Sequence, residues 1–391
     1  MVPGVASAAT RPGRREVLAL YAGTAMAYAD MYLTQPILPL LSRELGASPA
    51  QAGLTVSAVV LAIALAAPIQ GPLSDAWGRR RVMALAMALL SAATLACAFA
   101  PTLPWLIGLR ALQGLFVPGM TAVSVAYAGE RFSAAELPRV VGGVIGASVV
   151  GGLVGRVGGG ALAAQLGWRA AFVSFAAVTA LVAAGLAREL VLLPAVPGRG
   201  LGGAARGMAE HLRRPRLLGA YLVGASLFFG WMGIFTYLPY HLSEGWGLGT
   251  GQVSSVYLVY AAGVVASPLA GRLTGRFGAT TLVAWGLTVE AVGMAASLGG
   301  SLPVLIAGLV VLVLGTFTAQ AVVPAFVNQT ATGNKGGASA LYLTFYYVGG
   351  TLGSVLPGLA WQAAGWPAVV ALCGTAVLAG LAANSLLCRR A

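Results

Sequence analysis

Gly71-Pro72-Leu73-Ser74-Asp75-Ala76-Trp77-Gly78-Arg79-Arg80-Arg81 is a densely charged hairpin set between two long apolar runs. Residues 50–70 before it and 82–100 after it are almost wholly apolar, and each is long enough to cross a bilayer. A turn this short makes the two runs antiparallel neighbours. Three successive arginines beside a crossing helix are held on the cytoplasmic side by the positive-inside bias, so the hairpin orients the chain.

Working outward, the rest of the chain has the same character. Of its 391 residues 58% are hydrophobic and 8% are charged, where a soluble domain carries roughly 25% charged residues. A membrane protein follows from that composition and from a mean hydropathy of +0.86, and the helix-length apolar runs along the chain make it an all-α one. The net charge of +13 does not imply a nucleic-acid partner, because the arginines sit between apolar spans and not on one basic face with interleaved aromatics. Residues 1–15 are small and basic and run straight into the first span, so no removable signal peptide is expected. Cys97, Cys373 and Cys388 are too far apart for metal-ligand spacing and are assigned to packing, with no metal and no cofactor expected. No nucleotide-binding loop of the G-x-x-x-x-G-K type is present, which argues against ATP as the energy source, and no nucleophile sits with a base.

Apolar runs bounded by charge, Pro or Gly divide the chain into twelve spans, near 17–41, 50–72, 82–100, 103–128, 139–163, 168–190, 217–242, 251–273, 279–299, 302–327, 338–363 and 366–388. With both termini inside, nineteen of the 23 lysines and arginines fall on the cytoplasmic side. Arg43 and Arg169 are external, and Arg110 and Arg156 lie inside spans. So lopsided a count is what the positive-inside rule demands.

The chain repeats itself. Leu38-Pro39 returns as Leu238-Pro239, and Pro68, Gly71, Leu73 and Gly78 return as Pro268, Gly271, Leu273 and Gly278, an offset of 200. Later the offset becomes 198, where Gly151-Gly152, Gly155, Gly160 and Gly167-Trp168 return as Gly349-Gly350, Gly353, Gly358 and Gly365-Trp366. The expected organisation is a cytoplasmic tail (1–15), a six-helix bundle (16–190), a Gly, Pro and Arg-rich cytoplasmic linker (191–216), a second six-helix bundle (217–388) and a short tail (389–391). Glycines four apart, Gly142 with Gly146 and Gly151 with Gly155 and Gly159, put a smooth face on the fifth span, which Gly349 and Gly353 repeat on the eleventh.

The opening stretch resembles the G-x-L-a-D-r-x-G-r-k signature of the loop between helices 2 and 3 in the major facilitator superfamily. Gly71, Leu73, Asp75, Gly78, Arg79 and Arg80 fall on its positions, and Ser74 and Ala76 depart from it. Arg110-Ala111-Leu112-Gln113-Gly114 is similar to the R-x-x-Q-G pattern that the family links with proton coupling. Gly146, Gly155, Gly159 and Gly160 fit the antiporter signature of helix 5, with Arg156 where that signature has Pro. The resemblance implies two parallel repeats with a substrate site between them at mid-membrane. It also implies a conformational latch built from Gly71, Asp75, Gly78, Arg79 and Arg80, for which Arg131 is one partner for Asp75; a solvated, topology-setting turn is the plainer reading.

A charge at the centre of a membrane helix costs at least about 2.5 kcal/mol, so each one calls for a partner or a wet cavity. Asp30, Arg110, Arg156 and Glu290 are such charges. Asp30 and Arg110 are the expected proton-coupling pair, Asp30 carrying the proton under competing influences of desolvation and the nearby arginine; a static buried pair is the alternative. Arg156 is expected to bind an anionic group on the substrate, or else to snorkel toward lipid headgroups. Glu290 reads as a packing or lipid-shielded group and His241 as a surface residue. The repeat pairs Asp30 with Gly230, Arg110 with Leu309 and Arg156 with Ser354, so the proposed engine belongs to the first half. The second half offers rings and amides instead. Candidate substrate contacts are Tyr28, Tyr32, Gln35, Gln113 and Arg156 from the first half and Trp231, Tyr237, Gln320 and Tyr346 from the second.

Together these imply a monomeric, proton-coupled secondary transporter in the plasma membrane with both termini cytoplasmic. It resembles the drug and metabolite antiporter branch, exporting a small organic molecule in exchange for protons. Proton-coupled uptake of a small organic anion is the alternative.

Overall fold

The structure, a computed structural model, describes residues 13–193, 210–332 and 335–388. Most of the expected linker, most of the N-terminal tail and the tail at 389–391 lie outside the described residues. Among the described residues there is no strand, and ten helices are long and apolar enough to cross a membrane.

The first crossing, α1, is interrupted: Arg14–Tyr32 is α-helical, Gln35–Ile37 is a 3-10 turn, and Leu38–Leu45 resumes the helix. Proline at 36 and 39 withholds the amides that an unbroken helix would use there. Next along the chain come α2 (Pro49–Trp77), α3 (Arg79–Ala98), α4 (Leu103–Arg131), α5 (Leu137–Leu166), α6 (Trp168–Glu189), α7 (Pro215–Gly245), α8 (Thr250–Phe277), α9 (Ala279–Ala296) and α10 (Leu302–Thr330). The helical stretch from Lys335 onward is two helices, joined where Ala364 and Gly365 leave helical geometry. We call them α11 (335–363) and α12 (366–388). Counted apart, and with the interrupted α1, they bring the total to the twelve spans read from the sequence.

The charged stretch around Asp75 is less of a loop than its letters suggest. Helix α2 runs on to Trp77 and α3 starts at Arg79, leaving Gly78 alone to turn the chain with φ of 89°. Its repeat counterpart Gly278 has φ of 81°, and the second repeated pair, Gly167 and Gly365, has φ of 83° and 64°. Only glycine enters that region without strain, so the repeated glycines mark repeated tight turns, of one residue at Gly78, Gly167 and Gly278 and of two at Ala364–Gly365. At the other end of α2, Ser48 and Gln51 form a reciprocal capping box with Pro49 in the first turn.

The smooth faces also repeat, in atoms as well as letters. A methyl on Gly151 would lie 2.0 Å from the Ala25 carbonyl oxygen, and one on Gly155 would lie 2.3 Å from that of Ala29. Across the repeat, Gly349 and Gly353 press as closely on Ala225 and Phe229. Backbone on backbone is how α5 packs on α1 and α11 on α7, the close approach that small residues permit in lipid. Gly142 and Gly146 do not share this work, since a methyl on either would meet nothing.

The contacts that join the two halves gather at the end away from the arginine-rich turns. Ser42 and Tyr240 share a hydrogen bond of 2.6 Å, and a methyl on Gly358 would lie 2.8 Å from the Ala50 Cβ. Gly160 meets Ser254 and Gly53 meets Tyr237 in the same layer.

Candidate functional site

A cavity of about 260 Å³ lies between the halves. Helices α1 and α5 wall one side, with Tyr28, Tyr32 and Arg156. Helices α7, α8, α10 and α11 wall the other with rings and an amide, Trp231, Tyr260, Gln320 and Tyr346 among them. Six of the expected substrate contacts therefore come together: Tyr28, Tyr32, Arg156, Trp231, Gln320 and Tyr346. Phe228 stacks on Tyr346 with centroids 4.1 Å apart, and Gln320 donates to the Tyr346 hydroxyl at 2.9 Å.

Arg156 reaches the cavity because α5 opens into a π-turn over Val154–Gly158. Its Nε donates to the Gln35 side-chain oxygen at 2.7 Å and its Nη1 to the Gly152 carbonyl at 3.1 Å. The guanidinium plane is held over the rings of Tyr32 and Tyr260, 3.6 and 4.3 Å from their centroids. Snorkelling is excluded by burial, since 2% of the residue is exposed. Nη2 has no hydrogen-bond partner among the described residues, and neither has the Tyr260 hydroxyl.

Three expected contacts stand back from the cavity. Gln35 is fully buried and acts behind Arg156, its amide also donating to Thr236 of the opposite half at 3.4 Å. Gln113 is bonded to Arg110 and to Thr94. Tyr237 donates to the Ser354 carbonyl at 2.9 Å, in the layer where the halves meet. Tyr260, Phe317 and Tyr347 line the cavity without standing out in the sequence. The signal for Tyr260 is slight: Tyr257 and Tyr260, one helical turn apart in an otherwise aliphatic span.

Asp30 and Arg110 are both fully buried inside the first half and do not line the cavity. The carboxylate of Asp30 accepts from Thr179 at 2.8 Å and from Thr94 at 3.2 Å. Arg110 passes it by. Its guanidinium donates to the Asp30 carbonyl at 2.8 Å, the Met31 carbonyl at 2.6 Å, the Thr55 carbonyl at 3.2 Å and Gln113 at 2.8 Å. The first two carbonyls lie just ahead of the break in α1, which leaves them short of helical partners, and the arginine makes up the shortfall. A direct ion pair of the two side chains, the plainer alternative, is not what these residues form.

The asymmetry read from the sequence also needs correcting. Glu290 is fully buried, in keeping with a packed, lipid-shielded position, and a methyl on Gly230 would lie 3.3 Å from its Oε1. Gly230 is the repeat counterpart of Asp30, and its nearest neighbours Met294 and Val377 are the counterparts of Thr94 and Thr179. Each half thus holds one acid in the same interhelical space, delivered from α1 in one and from α9 in the other. Matching residues along the chain could not show this, because the two acids come from different helices of the repeat. His241 is half-buried and stacks on Trp366.

In the latch stretch, Asp75 pairs with Arg79 four residues on, and Arg79 also reaches Glu130 at 2.8 Å. Arg80 donates to the Ala187 carbonyl. Arg131 binds Glu16 at 2.9 Å, and Tyr127 donates to the same carboxylate, so in this conformation Asp75 is paired with Arg79 and Arg131 with Glu16. Glu16, at the start of α1, takes the arginine at the foot of α4. All of these partners belong to the first half.

A sequence model described as the Major Facilitator Superfamily matches residues 20–266 and again 250–390. The MFS-type transporter YybF of Bacillus subtilis (strain 168) is 27% identical over 96% of this chain and 94% of its own length. The inner membrane transport protein YnfM of Escherichia coli (strain K12) is 30% identical over 96% of this chain and 91% of its own. Among solved structures, a bacterial homolog of the human lysosomal transporter Spinster, in an inward-facing and unoccupied conformation, superposes with a TM-score of 0.75 at 19% identity, covering 95% of each chain.

Proposed function

The chain belongs to the major facilitator superfamily, and from that premise we propose that it exports a small organic molecule in exchange for protons, by alternating access between two six-helix bundles. That it is a multi-pass membrane transporter, and no enzyme, follows from the family and the relatives. The observation that supports alternating access is the cavity. Both halves line it, and the contacts between the halves gather at one end, which is the arrangement that rocking about a central site requires. The arginine-rich turns face the cytoplasm by charge bias, with both termini, so the sealed end faces outward. The cell membrane is the expected location, and the protein works as a monomer.

Asp30 carries the proton in this reading, and Arg110 holds the broken part of α1 on which Asp30 sits. Displacement of that helix alters the surroundings of the carboxylate, which couples proton occupancy to the rocking of the halves. The Asp75–Arg79 stretch serves as the latch in the opposite conformation, when the arginine-rich ends approach one another.

A second reading, proton-coupled uptake of a small organic anion, is favoured by Arg156, the only charged side chain among the described lining residues. Liposomes reconstituted with the protein and loaded with a pH-reporting dye separate the two. Exchange moves substrate and protons in opposite directions, and uptake moves them together. Substrate flux without any proton movement ends both.

A further inference from the structure

The cavity has a chemistry more specific than that of a general organic site. We infer that it receives a small aromatic carboxylate bearing a single negative charge, a conclusion that rests on the cavity being the substrate site.

The charge comes from two orphans. Among the described residues that line the cavity, Arg156 Nη2 from one half and the Tyr260 hydroxyl from the other are the buried donors that lack partners, and their residues are 2% and 3% exposed. They belong to adjacent groups, with the guanidinium carbon 4.3 Å from the Tyr260 ring centre. A buried donor left unmatched costs about 1–3 kcal/mol, and more when it is charged, so the site is incomplete until an acceptor draws on both donors. A carboxylate supplies two acceptor oxygens in one plane, enough for both. Among the described residues, no aspartate or glutamate lines the cavity to compete for the arginine or to favour an amine.

The number of charges follows from the same inventory. Arg156 is the only charged side chain among the described residues of the lining, so a second negative group on the ligand meets no cation there. Phosphate monoesters, with a charge of about −1.5 to −2 near neutrality, are therefore poor candidates.

The body of the ligand is set by the opposite wall. Trp231 is bracketed edge-on by Tyr260 and Phe317, with centroids 4.5 and 5.1 Å away, and the stacked pair of Phe228 and Tyr346 continues the surface. Rings arranged this way accept another ring in offset or edge geometry, each such contact contributing about 0.5–1.5 kcal/mol beyond area burial. Size completes the description. A volume of about 260 Å³ has room for one ring with its acid group.

The test is equilibrium binding of radiolabelled benzoate to the purified full-length protein in detergent, with no gradient imposed. Benzoate is expected to bind saturably. Benzamide, benzylamine and phthalate are expected to compete at least about tenfold more weakly, the size of one hydrogen bond to a charged group. Cyclohexanecarboxylate should compete less well than benzoate. Arg156→Gln should weaken benzoate at least about tenfold, Arg156→Lys less, and Tyr260→Phe by a few-fold. Thermal unfolding of each variant checks its fold, and retained binding by Arg156→Lys guards against reading a collapsed site as a lost contact.

Absence of saturable benzoate binding overturns the inference. So does benzylamine or benzamide competing as well as benzoate, or Arg156→Gln leaving affinity unchanged. Equal competition by cyclohexanecarboxylate overturns the aromatic part. Because no proton gradient enters the assay, benzoate binding without proton exchange in liposomes would leave this inference standing and remove the exchange reading alone.

Discussion

Arg110 is hydrogen-bonded to the main-chain carbonyl of Asp30 at 2.8 Å and not to its carboxylate, which turns away to Thr94 and Thr179. The two residues are neighbours with separate duties. One braces a broken helix, and the other presents an acid to a pair of hydroxyls.

Separate duties predict separate consequences. Arg110→Ala removes four buried hydrogen bonds, and charged bonds contribute about 1.5–3 kcal/mol each, so the unfolding midpoint in detergent should fall by many degrees. Asp30→Asn keeps the shape and leaves the arginine's partners intact, so its midpoint should stay within a few degrees of the parent. An equal loss in both would mean that the carboxylate and guanidinium act as one unit.

If Asp30 carries the coupled proton, Asp30→Asn should bind substrate and exchange it down its own gradient while losing the response to an imposed proton gradient. Proteoliposome uptake measured with and without that gradient reads this directly. Full proton-driven transport by Asp30→Asn would remove Asp30 from the mechanism.

Gln35 is expected to matter although it does not touch the cavity. It accepts from Arg156 at 2.7 Å and donates to Thr236 across the halves. Gln35→Leu leaves the Arg156 Nε without its acceptor and frees the arginine to turn, so substrate affinity should fall by about tenfold and the unfolding midpoint should fall by a few degrees. Isothermal titration on the variant checks it, and an unchanged affinity would show that the two rings alone hold Arg156.

The glycines that press α5 onto α1 should be sensitive, and their neighbours should not. Gly155→Ala places a methyl 2.3 Å from a carbonyl oxygen, and overpacking of this kind costs typically about 1–3 kcal/mol. Gly142→Ala, in open space on the same helix, should be neutral or slightly stabilising. Thermal unfolding of the two variants gives the comparison, which the repeat-related Gly353→Ala should reproduce in the second half.

The seal between the halves must open for alternating access. Cysteines at Ala50 and Gly358 would place their Cβ atoms near 2.8 Å, within an ångström or so of the roughly 3.8 Å typical of a disulfide. Oxidation of that double variant should stop transport and a reductant should restore it, since Cys97, Cys373 and Cys388 are buried. Transport that continues with the cross-link formed would show that this layer need not part.

Much of the architecture is legible in the sequence. The crossing segments follow from runs of apolar residues and the two-fold repeat from glycines 200 apart, because such signals are local or periodic along the chain, whereas the narrowing of the 71–81 hairpin to a single-residue turn at Gly78 shows only in the fold. The cavity is half legible. Rings and amides on the right helices point to Trp231, Gln320 and Tyr346, whereas Gln35, Gln113 and Tyr237 are equally polar or aromatic but face elsewhere.

The sequence by itself determined that this chain is a helical membrane protein, where its crossings fall, and that its second half repeats its first. Hydropathy, charge bias and glycine spacing act on each segment wherever its neighbours lie. Only the tertiary structure decided the azimuth of each helix. The break at Gln35–Ile37 and the π-turn at Val154–Gly158 shift the helical phase along α1 and α5, and in the packed bundle Asp30 faces two threonines while Arg156 faces the cavity. In the same way it brought Glu290 from α9 into the space beside Gly230. Which side chains meet depends on how whole helices pack, and no spacing along one of them contains that information.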